Sequence, residues 1–429
     1  MSARSLAQWL AFIGRQHPDA IALGLDRVRE VLGRMEVRIG CPVVTVAGTN
    51  GKGSVCAMLE SILQASGRRV GLYTSPHLLR YNERVRIGMR EATDERLAES
   101  FAAVEQARGA VPLTYFEYGT LAALWLFARE APDVLVLEVG LGGRLDAVNV
   151  LDADCAVVTN VGLDHVEYLG DSREAIGREK AGIFRQGRPA VVADADPPAS
   201  VLDAAEQVGA PLLRLGRDFG YRAHPGQWDY WGPATRRAAL AYPALRGERQ
   251  LRNAAAALAA LDALRERLPV SMQDVRRGLA EAVLPGRFQV LPGRPQVILD
   301  VAHNVEAAQA LAENLGAAGY AAQTLAVFGM LRDKDIAGVA RQLAARVTRW
   351  HLCSLGGPRG TDAETLARIL SSAGIRGPLL KHGSAAEAFA AAREEAGEND
   401  KIVAFGSFLT VAEVMQSLAA TRNGAGTHG

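Results

Sequence analysis

The chain has 429 residues, 49% hydrophobic, 22% charged and 6% aromatic, with 48 Lys and Arg against 47 Asp and Glu for a formal net charge of +1. This length exceeds a single small module and predicts two or three folding units, each able to bury its own core. The balanced charge supplies no broad basic field for nucleic acid or an anionic membrane, and no apolar run approaches the roughly 20 residues of a membrane span, so an anion must be bound by a local device.

The first predicted element is an amphipathic helix over 6–13, capped by Ser5 and lacking the cleavage site of a signal peptide. Short β-branched runs then alternate with Ala/Leu-rich helical stretches, the pattern of a mostly parallel sheet with crossover helices. Strands are expected over 42–47, 69–74, 134–139, 156–159 and 189–193, and a helix over 54–66 closed by Gly67. Cys41, Cys56, Cys155 and Cys353 lie far apart with no CxxC pair, which points to reduced thiols and a cytoplasmic location.

The strongest motif is VVTVAGTNGKGS over 43–54, a strand running into a glycine-rich turn that opens a helix. Such a turn wraps backbone N–H groups around a phosphate, the helix N-terminus adds its dipole, and Lys52 can reach the terminal phosphates of a nucleotide. The loop departs from a strict Walker sequence: Val46 stands at its first glycine and Gly53 follows Lys52, so the hydroxyl that usually holds Mg²⁺ must be replaced elsewhere. Only five basic residues are Lys (Lys52, Lys180, Lys334, Lys381 and Lys401), so a lysine here can mark a place that needs an amine.

VLVLE over 134–138 is an apolar strand ending in Glu138, a Mg²⁺-ligand arrangement, followed by the glycine-rich GLGGRLD over 140–146. Asp164 and His165 follow the strand at 156–159 and fall at the same edge of the sheet. Lys180 comes just after a helical stretch, where an exposed lysine is the ordinary outcome.

Between 212 and 250 the texture turns to aromatic, Gly and Pro residues without helical period, consistent with short antiparallel strands. Helices follow over 251–266 and 271–283. The breaker-rich segment 284–295 repeats Leu-Pro-Gly-Arg and marks the boundary, with a first domain over 1–287, a linker over 288–295 and a second domain over 296–429. From 296 onward, strands and helices alternate, and DVAHN over 300–304 and GSF over 406–408 put polar residues at two strand tips. The tail 421–429 is polar and glycine-rich and is expected to be disordered.

Together, GTNGKGS (48–54), YTSPHL (73–78), LTYFE (113–117), EVGLGGRLD (138–146), GLDH (162–165), EKAGI (179–183), PGR (285–287), DVAHN (300–304), VFGML (327–331), DKD (333–335) and GSF (406–408) resemble the dihydrofolate synthase and folylpolyglutamate synthase family of the Mur ligase superfamily. The likeness spans nearly the whole chain. It implies an α/β fold with an N-terminal P-loop-containing, mostly parallel sheet domain with helices on both faces and a smaller C-terminal Rossmann-like α/β domain.

The resemblance further implies ATP between the domains, on Gly48, Thr49, Asn50, Gly51, Lys52, Gly53 and Ser54, with Asn253 on adenine, Asp300 on the nucleoside and Arg287 on phosphates. It implies two Mg²⁺ sites, one on Ser75 and Glu138 and one on His165 with Lys180 as N6-carboxylysine. Phe116 and Asp146 match pterin-pocket positions, His303 and Ser407 match the region that holds incoming glutamate, and Arg84 is a further candidate for a glutamate carboxylate. Lys52, His165, Lys180, Arg287 and His303 would carry the catalysis. Arg249, where many relatives have His, receives no role.

The implied reaction adds L-glutamate to dihydropteroate, and to the γ-carboxyl of tetrahydrofolates, through an acyl phosphate. A cytoplasmic monomer that binds neither nucleic acid nor membrane is expected. The rival readings are a folylpolyglutamate synthase alone, a Mur-type ligase of cell-wall precursors, and a P-loop regulatory NTPase.

Overall fold

The computed structural model describes residues 4–17, 19 and 21–425, with side chains through 420. It falls into two compact units, one formed by the chain through Ala244 with Gln250–Val283, the other by Leu245–Arg249 with the chain from Leu284 onward.

The first unit is built on an eight-stranded sheet: β1 (Val43–Ala47), β2 (Val70–Tyr73), β3 (Val85–Ile87), β4 (Arg90–Glu91), β5 (Val134–Glu138), β6 (Cys155–Val158), β7 (Ala190–Val192) and β8 (Leu212–Arg214). Their order is β4-β3-β2-β5-β1-β6-β7-β8, parallel except for the β2–β3–β4 end. Every residue of β1 and β5 is buried, as expected of strands covered on both faces. Val43, Leu135 and Leu137 join one core with the helices Leu6–Ile13, Asp94–Arg108 and Tyr115–Glu130. The helix Lys52–Ala65 is buried from Ser54 through Leu63. The helix Met272–Glu281 closes against it, with a Cβ on Gly278 falling 2.4 Å from Ile62 Cα.

The first helix carries the expected cap: Gln8 N donates to Ser5 Oγ at 3.3 Å and Ser5 N to Gln8 Oε1 at 2.8 Å. β8 extends the parallel sheet beside β7, so the antiparallel stretch begins only at β9 (Gly220–His224), β10 (Gln227–Trp231) and β11 (Arg236–Ala241). Buried Asp262 ties that small sheet to the helix Arg249–Ala263, accepting from Tyr230 at 2.9 Å, Thr235 at 2.6 Å and Arg237 at 3.2 Å.

The second unit is a six-stranded sheet: β12 (Gln289–Leu291), β13 (Gln296–Leu299), β14 (Thr324–Phe328), β15 (Arg349–Cys353), β16 (Leu379–His382) and β17 (Lys401–Phe405), in the order β12-β13-β17-β14-β15-β16. Only β12 runs antiparallel. Its core centres on Phe328, Trp350 and Phe405, with ring centroids 5.0 to 6.1 Å apart.

Two expectations are corrected here. Residues 288–295 are not a free linker, because β12 lies among them and hydrogen-bonds in register with β13, Leu291 opposite Val297. The tail is helical at its start: the last helix runs Phe408–Ala425, and 426–429, expected to be disordered, lie outside the described residues. Among the described residues no helix is long and apolar enough to cross a membrane.

Candidate active site

In the first unit the register aligns Val46 with Glu138 and Ala47 with Val158, so the turn after β1, the carboxylate closing β5 and the segment after β6 share one edge of the sheet. This is the edge where parallel α/β sheets bind ligands. The turn enters the helix Lys52–Ala65 through Gly51, whose φ of +85° is left-handed; a Cβ there would lie 2.6 Å from Asn253 Oδ1. Lys52 Nζ folds back over the loop, donating to Gly48 O at 3.0 Å and Thr49 O at 3.2 Å. Ser54 is buried in the first helical turn.

The loop is bolted to the segment after β6. Thr49 N donates to Asn160 O at 3.0 Å and Asn50 N to Asn160 Oδ1 at 2.8 Å. Thr49 Oγ1 and Gly162 exchange hydrogen bonds of 2.9 and 3.1 Å, and Thr159 Oγ1 donates to Asn50 O at 2.6 Å. Thr159 and Asn160 were not singled out in the sequence, though their place directly after a buried strand was the available signal.

Glu138 is 5% exposed and accepts from Ser75 N at 3.1 Å, which brings together the two residues expected at one metal. His165 has left-handed backbone (φ +51°) and its N–H donates to Asp164 Oδ1 at 2.9 Å. Lys180 corrects an expectation: it lies inside the helix Arg173–Ala181 and is 4% exposed. Burial, then the positive charge of Lys52, lowers its pKa to about 7, against the opposing pull of Asp164 and Asp146.

The burial of Lys180 follows from docking of two motifs. Arg144 N donates to Glu179 O at 2.7 Å and Arg144 pairs with the Glu179 carboxylate at 2.7 Å. A Cβ on Gly143 would sit 2.9 Å from both the Glu179 and Lys180 carbonyl oxygens, so the glycine-rich turn can lie flat on that helix end. Asp146 closes the turn, accepting from Leu141 N at 2.8 Å and Val148 N at 3.0 Å; burial nevertheless raises its pKa to about 7.

Phe116 lies against Gly140 and 5.9 Å from the Tyr73 ring. Arg84 joins this aromatic group: its Nε donates to His77 Nδ1 at 2.8 Å and its guanidinium sits 5.4 Å from the Tyr81 ring and 5.7 Å from the Tyr115 ring. Burial and the Arg84 charge depress the His77 pKa to about 4, so that imidazole is neutral at physiological pH. Asn253 pairs with Gln250 Oε1 at 2.9 Å and lies at the phosphate-loop turn.

In the second unit the tips of β13 and β17 meet. Asp300 accepts from Phe288 N and Ala302 N, both at 2.8 Å; burial raises its pKa, while Arg287 opposes the rise. His303 Nδ1 is 2.8 Å from Val301 O, and since a carbonyl only accepts, Nδ1 is the donor in this contact. Gly406 N donates to Ala302 O at 3.0 Å, and Ser407 Oγ accepts from Leu409 N at 3.1 Å as the last helix begins. Asp335 caps the helix Ile336–Leu343 and Asp333 pairs with Arg359, so DKD is partly occupied in holding its own loop. Arg249 reaches Glu306 and Glu313.

The Mur ligase middle-domain family matches residues 46–261, and the Mur ligase glutamate ligase domain matches residues 286–408. The chain is 47% identical to the dihydrofolate synthase/folylpolyglutamate synthase of Escherichia coli over 99% of its length and 98% of the relative's. It is 40% identical to that of Haemophilus influenzae over 95% and 96%. Among solved structures, E. coli FolC in complex with DHPP and ADP superposes with a TM-score of 0.93 at 47% identity, covering 98% of this chain and 99% of that one. A bifunctional folylpolyglutamate synthase/dihydrofolate synthase with Mn, AMPPNP and L-glutamate bound gives 0.89 at 45% identity, covering 97% and 98%.

Proposed function

This chain belongs to the dihydrofolate synthase/folylpolyglutamate synthase family of Mur ligases, and from that premise we propose that it is an ATP-dependent ligase adding L-glutamate to dihydropteroate and to the γ-carboxyl of tetrahydrofolates. The observation that carries the reading is the gathering of Lys52, Glu138, Asp146, Asp164 and Lys180 at the strand ends beside the phosphate loop. The nucleotides, Mn and L-glutamate bound by the similar structures support the ligand classes.

Among the described residues, no three His, Cys, Asp or Glu side chains gather as a metal cage. Mg²⁺ keeps several waters and takes one or two protein ligands beside phosphate oxygens. Ser75 and Glu138 would hold one Mg²⁺, and His165 with carbamylated Lys180 a second; bound there, the cations would offset phosphate charge. The fit at Lys180 rests on its amine: an ammonium cannot ligate a cation or add CO₂, and a pKa near 7 leaves much of it neutral.

A carboxylate resists attack by an amine, so it first takes the γ-phosphoryl group of ATP as an acyl phosphate. Lys52 and Arg287 would stabilise the charge on the group in transfer. Glutamate's amine then attacks the acyl carbon, orthophosphate leaves, and an amide remains. The amine must lose a proton, and the Nε2 lone pair of His303 is the proposed acceptor, with Ser407 beside glutamate. Asp146 and Phe116 would line the pterin side, and Arg84 is a further candidate for a glutamate carboxylate. Gly48, Thr49, Asn50, Gly51, Gly53 and Ser54 form the phosphate turn; Asn253 and Asp300 are assigned to the nucleoside.

A cytoplasmic monomer is our reading of its state; the four free cysteines support the reducing compartment. The test is radiolabelled glutamate incorporation with dihydropteroate and tetrahydrofolate offered separately. Both should be extended; incorporation with tetrahydrofolate alone would reduce the enzyme to a polyglutamate synthase, and incorporation with neither would refute the reading.

A further inference from the structure

Phe408 opens the last helix of the second unit, directly after the polar tip at Ser407. Its ring meets two groups from different parts of the chain: the Arg287 guanidinium lies 5.1 Å from the ring centroid, and the His303 ring centroid is 6.0 Å away at an interplanar angle of 54°. We infer that Phe408 is a positioning residue for the ligase reaction, its ring setting the guanidinium plane of Arg287 and the imidazole plane of His303 relative to each other. The inference rests on the roles proposed above for those two side chains.

The geometry favours this function over simple packing for two reasons. A guanidinium set over an aromatic ring, here 5.1 Å from its centroid, is restrained without spending an N–H on that contact, so the contact does not compete with phosphate or carboxylate oxygens for donors. A hydrogen bond from His303 Nδ1 to Val301 O fixes one point of the ring, and the Phe408 ring adds a contact that narrows the directions in which Nε2 can point. Backbone rigidity beneath the trio is already supplied: Gly406 N bonds to Ala302 O and Val301 N to Gly286 O, joining the three tips at 3.0 and 2.9 Å. Phe408 itself is only partly buried, unlike Phe405 in the core of the same unit.

The experiment compares Phe408→Leu, Phe408→Tyr, Arg287→Lys and His303→Asn in the full-length enzyme, with NMR of the histidine ring protons. Phe408→Leu should lower kcat by roughly 10-fold, the loss expected when two reacting groups lose their mutual orientation, with a smaller change in KM for the pterin substrate. Phe408→Tyr, which keeps the ring, should restore kcat to within about 2-fold of wild type. In wild type the His303 ring protons should carry a ring-current shift that Phe408→Leu abolishes and Phe408→Tyr retains, with the melting temperature of the leucine variant little changed. Combined with Arg287→Lys, the leucine substitution should cost less than it does alone, because the two act through one contact. If Arg287→Lys and His303→Asn impair turnover while Phe408→Leu does not, or if the ring-current shift is absent from wild type, this inference is overturned alone. If Arg287→Lys and His303→Asn are themselves without effect, it falls together with the roles it serves.

Discussion

The proposed reaction requires Lys180 to behave unlike an ordinary lysine, and that can be measured. An ordinary lysine with a pKa of 10.5 is neutral in roughly one molecule in 3,000 at pH 7, whereas a group at about 7 is neutral in about half. Only the neutral amine adds CO₂, so the carbamate should form readily at Lys180 near pH 8 and poorly near pH 6. The sign of the stability effect follows: between about pH 7 and 10.5 the unfolded chain holds a proton that the folded amine has lost, so this group makes unfolding harder as pH rises through that window. Enzyme degassed of CO₂ should lose glutamate incorporation and regain it with bicarbonate, more completely at pH 8 than at pH 6. Lys180→Ala should be inactive and partly rescued by short carboxylates such as acetate, and intact-mass measurement should find added CO₂ on wild type only. Full turnover by Lys180→Ala, or wild-type activity indifferent to CO₂ with no added mass, would remove the carbamate from the mechanism.

Lys52→Ala should cut both synthase activities by roughly 10²- to 10³-fold while nucleotide-free thermal stability is nearly kept, because among the described residues its ammonium bonds to loop carbonyls alone; steady-state assays and melting curves decide this. Gly51→Ala combines about 1–2 kcal/mol of left-handed backbone strain with a contact against Asn253. Titration calorimetry should show weakened ADP binding, and Asn253→Ala in the same chain should restore only the part due to that contact; ADP affinity equal to wild type would refute the loop geometry. Asp262→Ala strands buried Arg237 and removes the acceptor of Tyr230 and Thr235, which should cost about 3–5 kcal/mol in urea unfolding without changing the KM for ATP in the folded fraction.

What the sequence discloses follows from how local the cause is. The phosphate loop is legible because strand, glycines, lysine and helix are consecutive, and the tips at Asp300 and Ser407 because each follows an apolar strand directly. The environment of Lys180 is not: a lysine between Glu179 and Ala181 reads as exposed, and its burial comes from the turn at 142–144, some 35 residues earlier in the chain. The helix Tyr115–Glu130 is buried around most of its circumference, so it offers no amphipathic stripe to read. Strand β12 is masked by the breakers on either side, since Pro285, Gly286, Pro292 and Gly293 speak for a loop while pairing with β13 decides the matter.

The docking of EKAGI on GLGGRLD also bears on why a near-neutral chain can hold a polyanion. Lys52 brings positive charge to the phosphate loop, while Glu138, Asp164 and, in part, Asp146 bring negative charge to the same edge. An ammonium at Lys180 would add a second cation beside Lys52 and discourage any metal from entering, and the field of Lys52 is one of the forces that strips its proton. Conversion of that neutral amine to a carbamate would reverse the local sign and supply oxygen donors where His165 alone would bind Mg²⁺ weakly. The same buried position therefore disfavours lysine's usual charge, the field of Lys52 would offset part of the cost of desolvating a carbamate there, and the turn at Gly143 that creates the burial would belong to the proposed metal site as much as its ligands.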